Sequence, residues 1–133
     1  MAFRLGRNLD DISQIEFLTH FLITLRSKGL DDPRERDLHQ LFYDLCKEDR
    51  VEKPIFFKNE YHFDLDSYPT SPSLSRAFNG CAITFGRTSP DFRNIAFSRE
   101  EISHYLNLQE RFSQELRDYL EHAVSKYREP LLI

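Results

Sequence analysis

The stretch from Ser67 to Glu101, SYPTSPSLSRAFNGCAITFGRTSPDFRNIAFSREE, constrains the fold more than any other part of this chain. It alternates helix-entry signals with turn chemistry. Ser71 followed by Pro72 is a helix start: the serine oxygen accepts from a free N–H of the first turn, and proline has no N–H to leave unpaired there. Leu74, Ala77 and Phe78 recur at helical spacing and Gly80 suits a stop, so the pattern predicts a short helix over Pro72 to Asn79. Cys81 to Phe85 (CAITF) is apolar and β-prone, GRTSPD is turn-rich, and Phe92 to Phe97 (FRNIAF) returns. Two strands joined by a turn are expected. Ser98 with Glu101 three residues later is a capping box that opens a further helix.

Two larger amphipathic helices precede this stretch. The first is expected from Asp11 to Lys28, capped by Asp10 or Asp11, with Ile12, Ile15, Leu18, Phe21, Leu22 and Leu25 inward. Gly29 stands where a left-handed stop residue belongs. Asp32 and Pro33 open the second helix, which buries Leu38, Leu41, Phe42 and Leu45 and ends between Lys47 and Arg50. Val51 to Leu65 then suggests extended pieces at Ile55–Phe57 and Tyr61–Phe63, or a loop pinned by Phe56, Phe57, Tyr61 and Phe63. The last helix continues to about Tyr127 and is long enough to break near Asn107. Its face of Tyr105, Phe112, Leu116, Tyr119, Leu120 and Ala123 lies close to heptad spacing. That face suits either packing on its own domain or a homodimer contact.

At 133 residues, 40% hydrophobic and 14% aromatic, the chain closes a core without disulfides or metal. Cys46 and Cys81 read as buried thiols. The N-terminal residues hold no apolar run of signal-peptide length, and no window approaches a membrane span, so a cytoplasmic protein with no membrane partner is expected. The net charge of −4 is unevenly spread. Residues 10–66 hold 8 basic and 14 acidic groups, whereas residues 67–99 hold Arg76, Arg87, Arg93 and Arg99 against Asp91 alone. The internal basic block therefore coincides with the short helix and the two strands.

No nucleotide-binding, hydrolase-elbow or zinc-protease motif occurs, and no cofactor is implied. His20, His39, His62, His104 and His122 lie outside recognised metal-ligand spacings. His20 and His39 read as surface or boundary residues, and Glu48 as part of a solvent-facing acidic side. His62, Asp64 and Asp66 share one side of an extended segment. Such a trio suits a metal-dependent nuclease, and equally the polar face of an edge strand.

The resulting class is α+β and mostly helical, with 1–100 as one domain and 101–133 as a C-terminal helix for packing or dimerisation. Its element order resembles a winged helix-turn-helix domain: two helices, a short helix, a two-stranded wing and a long C-terminal helix. That resemblance implies a transcription regulator that binds DNA. Ser73, Ser75, Arg76 and Asn79 would enter the major groove, and Arg87 and Arg93 on the wing would touch backbone or minor groove. Separately, Tyr68-Pro69-Thr70-Ser71-Pro72-Ser73-Leu74 resembles the Y-G-P-x-S-x-x-L segment of Panacea-type (SocA-like) antitoxin domains, without that pattern's glycine. There the segment follows a helical pair and precedes a short helix. This second resemblance implies a small regulatory protein that neutralises or senses a partner protein.

Overall fold

The computed structural model describes residues 7–29, 35–50, 52–58, 63–65, 69–84 and 97–128. Among them run α1 (Gln14–Ser27), α2 (Glu35–Lys47), α3 (Ile55–Lys58), β1 (Asp64–Leu65), β2 (Pro69–Thr70), α4 (Pro72–Thr84), α5 (Arg99–Gln109) and α6 (Gln114–Arg128). The class is α+β and mostly helical, with a small antiparallel ribbon in which Asp64 pairs with Thr70 and Leu65 with Pro69.

Helix α1 is the centre of the molecule. It packs against α4, α5 and α6, while α2 packs against β2, α4 and α6. Every residue from Phe17 to Leu25 is buried, because neighbours cover the helix on several sides. The helix starts at Ser13 rather than at Asp10 or Asp11. Ser13 and Glu16 form a capping box, each side chain accepting from the other's backbone N–H. Gly29 closes it at φ 75°, a left-handed conformation that glycine adopts without a Cβ clash. Ile15 stays 37% exposed, outside the core expected of it.

One core joins α1, α2, α4 and α6. Phe17 meets the rings of Phe42, Phe56 and Tyr119 at centroid distances of 6.1, 5.7 and 5.9 Å. Such tilted and edge-on pairs add about 0.5–1.5 kcal/mol each beyond the area they bury. Leu38, Leu41, Phe42 and Leu45 bury the expected face of α2.

Three local expectations are corrected. Ile55–Phe57 is not extended: it opens the single helical turn α3, and Phe56 and Phe57 bring their rings onto Phe42. The other proposed piece falls on Tyr61–Phe63, of which Phe63 alone is described; the strand that follows is Asp64–Leu65. Phe63 stands edge-on to Tyr43 of α2 at 5.2 Å. The short helix does not stop at Gly80. Cys81 to Thr84, read as the first wing strand, continues α4, and Cys81 is fully buried beside Thr19 of α1. Among the described residues, the ribbon precedes α4. The remainder of the proposed wing, Phe85 to Ala96 with Arg87 and Arg93, lies outside the described residues.

Gly80 serves close packing here. A Cβ at this position would come within 2.9 Å of the Ile15 Cδ1 atom. That methyl ends a partly exposed side chain and has room to turn. Gly80→Ala is therefore expected to be tolerated and to raise stability by up to about 1 kcal/mol through helix propensity. Urea unfolding checks this; a loss of more than about 1 kcal/mol would return Gly80 to the role of a left-handed stop.

The final helix is two. Ser98 and Glu101 form the capping box that opens α5. The chain then turns at Glu110–Ser113, a few residues beyond Asn107. Ser113 caps α6, its Oγ accepting from the Leu116 N–H at 3.2 Å, and its own N–H donates to the Arg7 carbonyl at 2.9 Å. The turn drives Phe112 inward. Phe112, Leu116, Tyr119, Leu120 and Ala123 are buried in the chain's own core, and Tyr105 lies against His20. The heptad-like face proposed for a homodimer is thus consumed within one copy.

Candidate functional site

The ribbon and the start of α4 are tied to α2 by His39, whose ring is 2% exposed. The Ser71 N–H donates to His39 Nδ1 at 2.9 Å, and Ser75 Oγ lies 3.2 Å from Nε2. A backbone N–H only donates, so Nδ1 carries a lone pair and the ring proton sits on Nε2, where it donates to Ser75. A Ser–His pair built for catalysis needs the opposite tautomer, with Nε2 free to accept the serine proton. His39 therefore acts as a clamp. The sequence suggests a surface or boundary residue, and His39 is instead buried; the signal for this is its position directly beside Leu38 on the buried side of α2.

Ser71 caps α4. Its Oγ accepts from the Leu74 N–H at 3.4 Å and lies 3.1 Å from Ser73 Oγ, which in turn accepts from the Gln14 side chain at 3.4 Å. Ser73 and Ser75, expected to face a nucleic acid, are thus half-buried and engaged inside the molecule. Arg76 and Asn79 are exposed, as expected of them. On β1, Asp64 is exposed and Leu65 is 63% exposed, the larger exposure of the two exposed big apolar side chains described. His62 and Asp66 lie outside the described residues.

A second buried histidine lies between α1 and α5. His20 Nδ1 accepts from the Gln109 amide nitrogen at 3.0 Å, and that nitrogen also donates to Thr24 Oγ1 at 3.2 Å. The rings of Tyr105 and Phe112 stand edge-on to it at 5.2 and 4.7 Å. Burial pushes the His20 imidazole down from 6.5 to about 4, helped by His104 and opposed by the Glu16 carboxylate. An imidazole whose folded value lies below its unfolded one stabilises the fold fully above about pH 6.5, and that contribution is lost as pH falls toward about 4. His20 and His39, expected to be surface or boundary residues, are both buried.

A third cluster joins α2 to α6. Glu48, expected to face solvent, holds His122 Nε2 at 2.8 Å and accepts from Lys126 Nζ at 3.1 Å. Burial pushes its carboxyl up, but the hydrogen bonds from His122 and Lys126 outweigh this and hold it below the ordinary value. Nearby, the Arg50 guanidinium lies 5.7 Å from the Tyr119 ring centre. The buried Tyr119 hydroxyl has no hydrogen-bond partner among the described residues, and burial pushes its ionisation up. These groups fasten helices and converge on no open cleft. An open groove of about 410 Å³ beside Asn8 and Ser113 mixes Lys53 and Lys58 with Asp10, Glu52 and Glu115, and selects no charge class.

Among the described residues, no group of three His, Cys, Asp or Glu side chains could hold a metal ion. No described helix is long and apolar enough to cross a membrane. Compared with known proteins, the chain matches no family model, no curated protein and no solved structure.

Proposed function

We propose that the protein is a small non-enzymatic regulatory protein that works by binding another protein through the outer surfaces of its ribbon and α4. One observation carries this reading: the Ser75 hydroxyl is held by His39, that of Ser73 by Gln14, and that of Ser71 caps α4, while Leu65 of the adjoining ribbon is 63% exposed. With those serines engaged inside, the exposed Leu65, Arg76 and Asn79 mix apolar, charged and amide groups, a set that suits a protein contact. The order of elements supports it as well. The stretch Pro69–Leu74 runs from β2 into α4, downstream of α1, α2 and the single turn α3, a placement like the one that the resemblance of Tyr68–Leu74 to Panacea-type antitoxin domains implies.

DNA binding is the second reading, favoured by the exposure of Arg76 and Asn79 on α4. Its groove-facing set is reduced, because Ser73 and Ser75 are engaged inside and Arg87 and Arg93 lie outside the described residues.

Photo-crosslinking in the native cell separates the two. A benzophenone side chain at position 65 or 76 is expected to capture one and the same protein, and one at Lys28 is expected to capture none. Leu65→Glu is expected to abolish the adduct formed at position 76 with unchanged thermal stability. No adduct at either site, together with salt-sensitive duplex binding that Arg76→Glu abolishes, would replace this reading with the second.

A further inference from the structure

We infer that α5 is a pH-sensitive latch: protonation of His20 undocks this helix from α1 while the core formed by α1, α2 and α6 stays folded. The inference stands apart from the protein-binding reading. It begins with an asymmetry between the last two helices. Helix α6 buries Leu116, Tyr119, Leu120, Ala123 and Val124, whereas α5 buries no residue at all. An element with so little buried apolar surface lies at the low end of local stability and opens before the core does.

Beside the half-buried Ile102, Tyr105, Leu106 and Leu108, the hydrogen bonds that fasten α5 to α1 come from Gln109. The Gln109 amide nitrogen has two hydrogens; one goes to His20 Nδ1 at 3.0 Å and the other to Thr24 Oγ1 at 3.2 Å. The fastening requires a lone pair on Nδ1. Adding a proton there sets donor against donor and places a charge between the Tyr105 and Phe112 rings in a site that is 5% exposed. That charge is relieved when α5 moves away and water reaches the ring.

Titratable groups stand around this site on α1, α4 and α5. On α1, Glu16 favours the protonated ring, although the Arg7 guanidinium already engages it at 2.8 Å. On α5, His104 disfavours it, and Tyr105 keeps its proton throughout the acidic range, since burial raises it further above 10. Glu101 of α5 and Cys81 of α4 lie near Tyr105. Burial of the ring outweighs Glu16, in agreement with the downward direction of the shift.

With the undocked ring behaving as an ordinary imidazole, docking weakens up to tenfold per pH unit below about 6.5. It levels off after about 300-fold near pH 4.

Hydrogen exchange followed residue by residue on the full chain, corrected for intrinsic exchange, tests the latch. Amides of Ile102 to Gln109 are expected to lose protection between pH 6.5 and 4 while those of Leu116 to Val124 keep theirs. His20→Gln, which keeps an acceptor and cannot titrate, is expected to make α5 protection independent of pH. Equal loss across α1, α5 and α6, no loss in α5, or an unchanged pH dependence in His20→Gln would each overturn the inference. Should that variant not fold, NMR titration of the wild-type His20 ring decides. A midpoint well below 6.5 that coincides with the α5 change supports the latch, and an ordinary midpoint or one unconnected to α5 overturns it.

Discussion

Phe17→Ala is expected to remove about 3–5 kcal/mol of stability. Phe17 is fully buried at the point where α1, α2, α3 and α6 meet, touching Phe42, Phe56 and Tyr119. Those three rings belong to three other elements, which limits their collapse into the space it leaves. The cost therefore combines lost transfer energy with a retained cavity. A domain of this size holds about 5–15 kcal/mol in total, so the variant should be marginal at physiological temperature. Urea denaturation checks it: a lower midpoint at unchanged slope is the expected result. A loss under about 1 kcal/mol would mean that these rings do not share one core.

His39→Ala is expected to cost about 2–4 kcal/mol. The Ser71 N–H would lose its acceptor at a residue 1% exposed, and Ser75 Oγ would lose the donor that holds it. Leaving a buried donor unpaired carries its whole desolvation penalty, about 1–3 kcal/mol, and the missing ring adds a void. His39→Asn supplies the control. Its side-chain oxygen lies close to the place of Nδ1 and is expected to recover part of the loss, whereas His39→Leu fills volume without an acceptor and is not. If Leu rescues as well as Asn, the ring acts by packing and not by clamping the entry to α4.

The elements legible in the sequence were those set by local chemistry. Ser71-Pro72, the Ser98–Glu101 box and Gly29 act within one helical turn, so their neighbours in sequence are also their partners in space. Ser13 and Glu16 carry the same capping-box spacing as Ser98 and Glu101, and the adjacent aspartates drew attention from them. What was not legible depends on distant partners. Cys81 to Thr84 looks like a strand by composition, yet α4 runs on because α1 offers a fitting surface: Thr19 beside Cys81, and Ile15 against Gly80. The rings around Phe56 alternate like a strand but serve as plugs for a core built by other elements. Burial of His20 depends on α5 packing against α1, which no spacing within α1 announces; His39 does lie beside Leu38 on the buried side of α2, but its partners Ser71 and Ser75 are distant in sequence. The heptad-like run in α6 was real as an apolar face; its partner proved to be the same chain.

The central claim is that the histidine and serines at the head of α4 form a fixed internal clamp, which leaves recognition to exposed groups such as Leu65, Arg76 and Asn79. Long-range nitrogen–proton correlation NMR of the His39 ring at neutral pH tests it most directly. An unprotonated Nδ1 shifted by the hydrogen bond from Ser71, with the proton held on Nε2, is the predicted spectrum. A ring protonated on Nδ1, with Nε2 free to take the Ser75 proton, would contradict the clamp and reopen the question of catalysis at this site.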